Sequence, residues 1–165
     1  MDNKENELKV GEYIKDFTAK MIDSDLNEKD FVLSQIKKPV ILFFYPKDNT
    51  PGCTLEAKAF SSKLEDFRSF GVEVFGMSGD RSDSHEKFIQ GCDLKLPLIT
   101  DSDNIIANTC GLVKPKSLFG IKYNSVSRST FFIDVDLKII QIWQDVSVFS
   151  HAGEVLSFVQ KYMGK

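Results

Sequence analysis

Phe43-Phe44-Tyr45-Pro46-Lys47-Asp48-Asn49-Thr50-Pro51-Gly52-Cys53-Thr54 runs from an apolar strand, through a polar turn, into a helix that opens on a cysteine. Thr at the cap and Pro at the first helical position are favoured starts, so Thr50-Pro51 sets the helix and puts Cys53 in its first turn. An ordinary thiol titrates at about 8.5 and is a few per cent thiolate at neutral pH. Unpaired N–H groups and the dipole at a helix start favour the sulfur anion. The stretch therefore points to one reactive sulfur at the end of one strand.

Working outward, Val40 to Tyr45 is apolar on both faces, as a central strand covered on two sides would be. After Cys53, Leu55, Ala59, Phe60, Lys63, Leu64, Phe67 and Phe70 fall largely on one helical stripe that Gly71 ends. Val72 to Ser78 is a strand; Ser82 to Gln90 is a helix capped by Ser82 or Asp83; Leu96 to Thr100 is extended. Upstream, Phe17 to Ile22 reads as a short strand before a turn at Asp23 to Asn27. Downstream, Asp101 to Thr109 is a turn with a short helix, and Gly111 to Ser127 is a long irregular segment. Arg128 to Asp134 and Lys138 to Trp143 form a hairpin, and Ser150 to Met163 is the last helix. This order predicts a three-layer α/β sandwich whose sheet is parallel in the middle and antiparallel at the hairpin.

The chain of 165 residues fits one domain over 8–165, behind a charged, frayed tail over 1–7. A net charge of −3 and no Lys/Arg cluster argue against a nucleic-acid surface. No apolar run nears the roughly 20 residues of a membrane span, and the N-terminus carries no secretory signal. Three widely spaced cysteines, Cys53, Cys92 and Cys110, match neither a disulfide framework nor a zinc site. A reducing compartment, the cytoplasm, is the expectation.

Around Cys53 the residue types suit a nucleophilic sulfur and a substrate held by its oxygens. Gly52 lets a substrate approach the backbone, Pro46 shields the sulfur from water, and Thr50 offers a hydroxyl that can both donate and accept. A distant arginine would complete the site, and Arg128, entering a strand, is the candidate. The segment Phe44 to Ala57 resembles the active-site signature of peroxiredoxins, in particular the peroxiredoxin Q or bacterioferritin comigratory protein subfamily. Pro46, Thr50 and Cys53 meet its spacing, and Ser117-Leu118-Phe119-Gly120 through Arg128 to Asp134 resembles its second signature. The resemblance implies a thioredoxin-like fold and a thiol peroxidase acting on hydrogen peroxide and small organic hydroperoxides. Cys53 would be the peroxidatic nucleophile, with Thr50 and Arg128 holding the peroxide and Pro46 shielding it. No metal or organic cofactor is implied. The implied partners are a hydroperoxide and a thiol reductant, usually thioredoxin, and the implied state is a monomer or weak dimer.

Many members of this subfamily carry a resolving cysteine five residues after the first, where this chain has Lys58. Relatives with that cysteine in a later helix point instead to Cys92, which falls about a turn late. A Cys53–Cys92 bond needs Cα atoms within about 7 Å. A one-cysteine cycle reduced by an external thiol is the alternative, and Cys110 reads as a packing residue. A disulfide oxidoreductase is disfavoured by the lack of a Cys-x-x-Cys pair. A sensor or holdase using Cys53 as a switch stays open. His85 and His151 read as surface helix residues, and Asp101 and Asp103 as a turn with a helix cap. Glu56 reads either as a partner of the arginine or as part of a solvated face, while Lys47 and Asp48 receive no chemical role. Lys114, Lys116 and Lys122 read as a solvated loop or a surface for an acidic reductase.

Overall fold

Val40, Leu42 and Phe44 face one cluster of buried side chains, and Ile41, Phe43 and Tyr45 face another. Their strand, β3 (Val40–Phe44), is buried at every position, as the uninterrupted apolar run requires. The computed structural model describes residues 7–164. The frayed tail expected over 1–7 lies outside them except for Glu7, which pairs with Lys114.

Seven strands form one sheet in the order β2-β1-β5-β4-β3-β8-β9. They are β1 (Thr18–Ile22), β2 (Glu28–Val32), β3, β4 (Glu73–Ser78), β5 (Leu98–Thr100), β8 (Ser129–Ile133) and β9 (Ile139–Gln144). β3, β4 and β5 pair in parallel, and every other neighbour is antiparallel. The helices are α1 (Pro51–Ser62), α2 (Leu64–Ser69), α3 (Ser82–Cys92), α4 (Ile105–Thr109) and α5 (His151–Met163). One face of the sheet is covered by α1, α2, α3 and α5 through Ala57, Phe60, Phe67, Phe88, Val155 and Val159. The other face is covered by α4 and flanking segments through Ala107, Cys110, Leu112 and Val126. The predicted three-layer α/β sandwich with a mixed central sheet is what the chain builds.

Several predicted elements differ. The stripe from Cys53 to Phe70 is two helices, because Lys63 leaves helical geometry at φ −104°, ψ 4°. Gly71 ends it as predicted, with φ +77°. α3 begins at Ser82 itself, and neither Ser82 nor Asp83 caps it; Arg81 holds the cap position without a side-chain bond. The segment Gly111 to Ser127 is not irregular: it carries a separate two-stranded ribbon, β6 (Val113–Leu118) paired with β7 (Ile121–Val126). The edge strand β2 had no counterpart in the sequence reading.

Candidate active site

β8 pairs with β3 in a register that sets Ser129 opposite Phe44. The residue before β8 therefore arrives where β3 ends and the cysteine turn begins. That residue is Arg128, 75 positions from Cys53 in sequence and in contact with it: Arg128 Nη2 donates to Cys53 Sγ at 3.1 Å. Its other terminal nitrogen, Nη1, donates to Glu56 Oε1 at 2.8 Å. Cys53 lies in the first turn of α1 and is 1% exposed.

Thr50 occupies the cap position of α1 but does not cap it. Its Oγ1 donates instead to Lys47 O at 2.9 Å. The proton of this hydroxyl is thus spent inside the turn, its lone pairs are left to accept, and it takes none of the first-turn N–H groups. Gly52 lies beside the Arg128 guanidinium. A Cβ there would sit 3.4 Å from Arg128 Nη2. Pro46 and Arg128 line one open cleft together with Lys114, Lys116, Val126, Ser127, Asp145 and Val146.

Glu56 is a buried partner of the arginine, and the solvated-face alternative falls away. Its Oε2 has no partner. Burial pushes its carboxyl up to about 7, against the pull of Arg128. Burial works to lower the guanidinium, but the Glu56 carboxylate and the Cys53 sulfur outweigh it and raise the group.

The structure brings Cys53, Thr50, Arg128 and Pro46 to one place. Cys92 is not among them. It ends α3, half-buried against the same cluster that holds Cys53. The Lys95 amide, just past α3, donates to Ser61 Oγ near the end of α1. Asp48, just before α1, meets Ser84 and His85 at the start of α3. The two helices thus run side by side in the same sense, and Cys92 stands near the far end of α1. From Cys53 to Ser61 that axis spans roughly 12 Å at 1.5 Å per residue. Cys110 lies on the other face of the sheet, where burial pushes its thiol up to about 12.

Both histidines were misplaced by the sequence reading. His85 is 0% exposed and His151 is 1% exposed. His85 lies against Asp48, 37 residues away in sequence, and His151 Nε2 lies 2.7 Å from Thr130 Oγ1. Polar residues whose partners are distant in sequence leave no local signal of burial. Asp101 does act at a helix start, accepting from the Ile106 and Ala107 amides. Among the described residues no group of His, Cys, Asp or Glu is arranged to hold a metal ion, and no helix is long and apolar enough to cross a membrane.

A profile of the AhpC/TSA family matches residues 10–142. A putative peroxiredoxin bcp of Helicobacter pylori (strain J99 / ATCC 700824) is 39% identical over 150 residues, covering 90% of this chain and 96% of the relative. Peroxiredoxin Bcp of Escherichia coli (strain K12) is 30% identical over 158 residues, covering 95% and 99%. Among solved structures, a Xylella fastidiosa PrxQ cysteine mutant superposes with a TM-score of 0.84 at 30% identity, covering 94% of this chain and 97% of that one. A Xanthomonas campestris bacterioferritin comigratory protein, described for its alkyl peroxide reduction activity, superposes with a TM-score of 0.79 at 27% identity, covering 89% and 92%.

Proposed function

This chain belongs to the AhpC/TSA family and is a thiol peroxidase of the Bcp peroxiredoxin type, and from that premise we propose how its residues divide the work. Its substrate is a peroxide and its electrons come from a thiol reductant. Cys53 is the nucleophile. Its thiolate attacks the terminal oxygen of a hydroperoxide, the O–O bond breaks, and the leaving oxygen takes a proton to become water or an alcohol. Sulfur is oxidised to the sulfenic acid. Arg128 steadies the sulfur anion and then the charge that moves onto the peroxide oxygens. Thr50 accepts a hydrogen bond from the peroxide O–H, its own proton being held by Lys47 O. Pro46 walls the cleft. The single observation that carries this reading is the 3.1 Å contact of Arg128 with Cys53 in the first turn of α1.

Cys92 resolves the sulfenic acid in our reading. It packs on the same cluster as Cys53, whereas Cys110 lies beyond the sheet. The step joins the two sulfurs and releases water, and it needs the start of α1 and the end of α3 to unwind so that both cysteines swing free. A dithiol protein of the thioredoxin kind then reduces the disulfide in a reducing, cytoplasmic setting, with the enzyme acting as a monomer. The separation along α1 favours a second reading, in which an external thiol attacks Cys53 directly.

Peptide mass spectrometry after one equivalent of peroxide decides between them. A linked Cys53–Cys92 peptide, and loss of thioredoxin-driven turnover in Cys92→Ser, supports resolution by Cys92. One added oxygen on Cys53 with Cys92 free overturns it. Cys110→Ser keeps full turnover in both cases.

A further inference from the structure

The turn from Pro46 to Thr50 is mostly exposed, yet its middle residue, Asp48, is 5% exposed. Its carboxylate is met from three sides. Tyr45 Oη donates to Oδ1 at 2.6 Å, Ser84 Oγ donates to Oδ2 at 2.9 Å, and His85 Nδ1 lies 2.7 Å from Oδ2. The Asp48 amide donates to Asp80 Oδ2 at 2.7 Å, and that oxygen also accepts from Ser78 Oγ at 2.7 Å. His85 is itself fixed by donating from Nε2 to the Ile99 carbonyl at 3.1 Å. Burial raises the Tyr45 phenol well above its ordinary range, so it stays a donor. The end of β3 and the first turn of α3 therefore meet at one carboxylate, while the end of β4 holds the Asp48 amide through Asp80 and β5 holds His85.

We propose that Asp48 and His85 are positioning residues for peroxide reduction, fastening the turn 46–50 to α3 and so holding Thr50 and Cys53 in the conformation that receives a peroxide. The inference rests on Cys53 being the attacking sulfur. Among the described residues, the side-chain hydrogen bonds that carry this turn to other elements run through Asp48, beside the first backbone bond of α1 from Thr54 N to Thr50 O. The other side-chain bond in the turn, Thr50 to Lys47, is internal. Asn49 between them is in the left-handed region at φ +61°, so the chain reverses over very few residues. A shift of Asp48 thus moves the Lys47 carbonyl that orients Thr50, and with it the first turn of α1. The carboxylate is not spent on the helix start: its partners are Tyr45, Ser84 and His85, and Pro51 opens α1. A buried carboxylate that keeps three partners is costly unless each is well placed, and a directional hold on the turn is what it adds. The same bonds anchor the start of the helix that ends at Cys92.

The test uses a Cys92→Ser/Cys110→Ser background in which Cys53 is the sole thiol. Two second-order rates are measured for the reduced protein: oxidation by hydrogen peroxide, and alkylation by iodoacetamide, which needs the thiolate but no peroxide held in line by Thr50. Peroxide attack depends on alignment, and misplacement by about 1 Å can cost about a hundredfold. Asp48→Asn is expected to slow oxidation roughly tenfold to a hundredfold while alkylation of the buried sulfur speeds up. Ser84→Ala, a milder change, moves both rates the same ways by less, and it decides the matter should Asp48→Asn not fold. Oxidation within threefold of the parent in the folded variants overturns the proposal. So does a parallel fall of both rates with the fraction folded. Failure of the underlying reading is separate: Cys53→Ser would then consume peroxide as fast as the natural protein.

Discussion

Glu56 and His151 are two buried ionisable side chains that burial moves in opposite directions. The Glu56 carboxyl rises to about 7 from 4.5, so the folded state holds its proton more tightly than the unfolded chain. Stability from this group is greatest below 4.5 and falls as pH climbs to about 7, by about 3 kcal/mol in all. His151 falls to about 4 from 6.5, chiefly through burial, with Arg128 adding to the fall and Glu154 opposing it. Its contribution is intact above 6.5 and is lost as pH drops towards 4, by a similar amount of about 3 kcal/mol. Between about 4.5 and 6.5 the two slopes oppose, so each hides the other. Glu56→Gln should expose a stability that rises with pH across that window, and His151→Gln one that falls with pH up to about 7. Urea unfolding at half-unit pH steps checks both, and parallel curves for the two variants contradict the assignment. The placement of Cys53, Thr50 and Pro46 was legible because it is local: one short stretch from the end of β3 into α1 holds all three. Arg128 was reachable as a strand-entry residue, but its place depends on a register across β3 and β8. Glu56, His85 and His151 were read wrongly or left open, because only their distant partners reveal that they are inside.

At the scale of elements, the central strands were plain and the edges were not. β3 is apolar at every residue, and its neighbour β4 carries Val-Phe-Gly-Met between Glu73 and Ser78. β2 reads Glu-Lys-Asp-Phe-Val, a charged edge strand that exposes most of its length, so its pattern resembles a loop. The ribbon β6–β7 buries almost nothing along β6 and turns through Phe119 and Gly120, at φ +52° and +79°. A two-residue turn with both residues left-handed usually announces itself as Asn-Gly, and Phe in the first place conceals it. Lys63 carries no breaker chemistry, which is why the helix break went unseen. Packing inside the sheet yields a sharper expectation at Gly76 in β4. A Cβ there would lie 2.7 Å from the Phe43 ring and 2.8 Å from Leu98 Cδ2. Phe43 cannot yield easily, being stacked on Phe60 with centroids 4.6 Å apart. Gly76→Ala should therefore destabilise the protein by about 1–3 kcal/mol through overpacking. Thermal unfolding measures it, and an unchanged midpoint would show that the ring has room to move.

Across the whole molecule the sheet is a partition between sulfurs. Cys53 and Cys92 share the face built on α1, α3 and α5, while Cys110 is sealed beneath α4. The sheet also brings Arg128 across from the far half of the chain to the end of β3, so the site is a product of the fold and not of the motif alone. The fold class followed from the order of strands and helices. The resolving step did not, because it depends on how far two helix ends can open, which no pattern of residue types encodes. The account stands or falls on Cys53 as the sulfur that meets peroxide. The most direct measurement mixes one equivalent of hydrogen peroxide with protein whose sole cysteine is Cys53, follows peroxide loss, and locates added oxygen by peptide mass spectrometry. The account predicts rapid loss of one peroxide per chain with a single oxygen on Cys53; peroxide that persists while Cys53 stays an unmodified thiol in folded protein would contradict it.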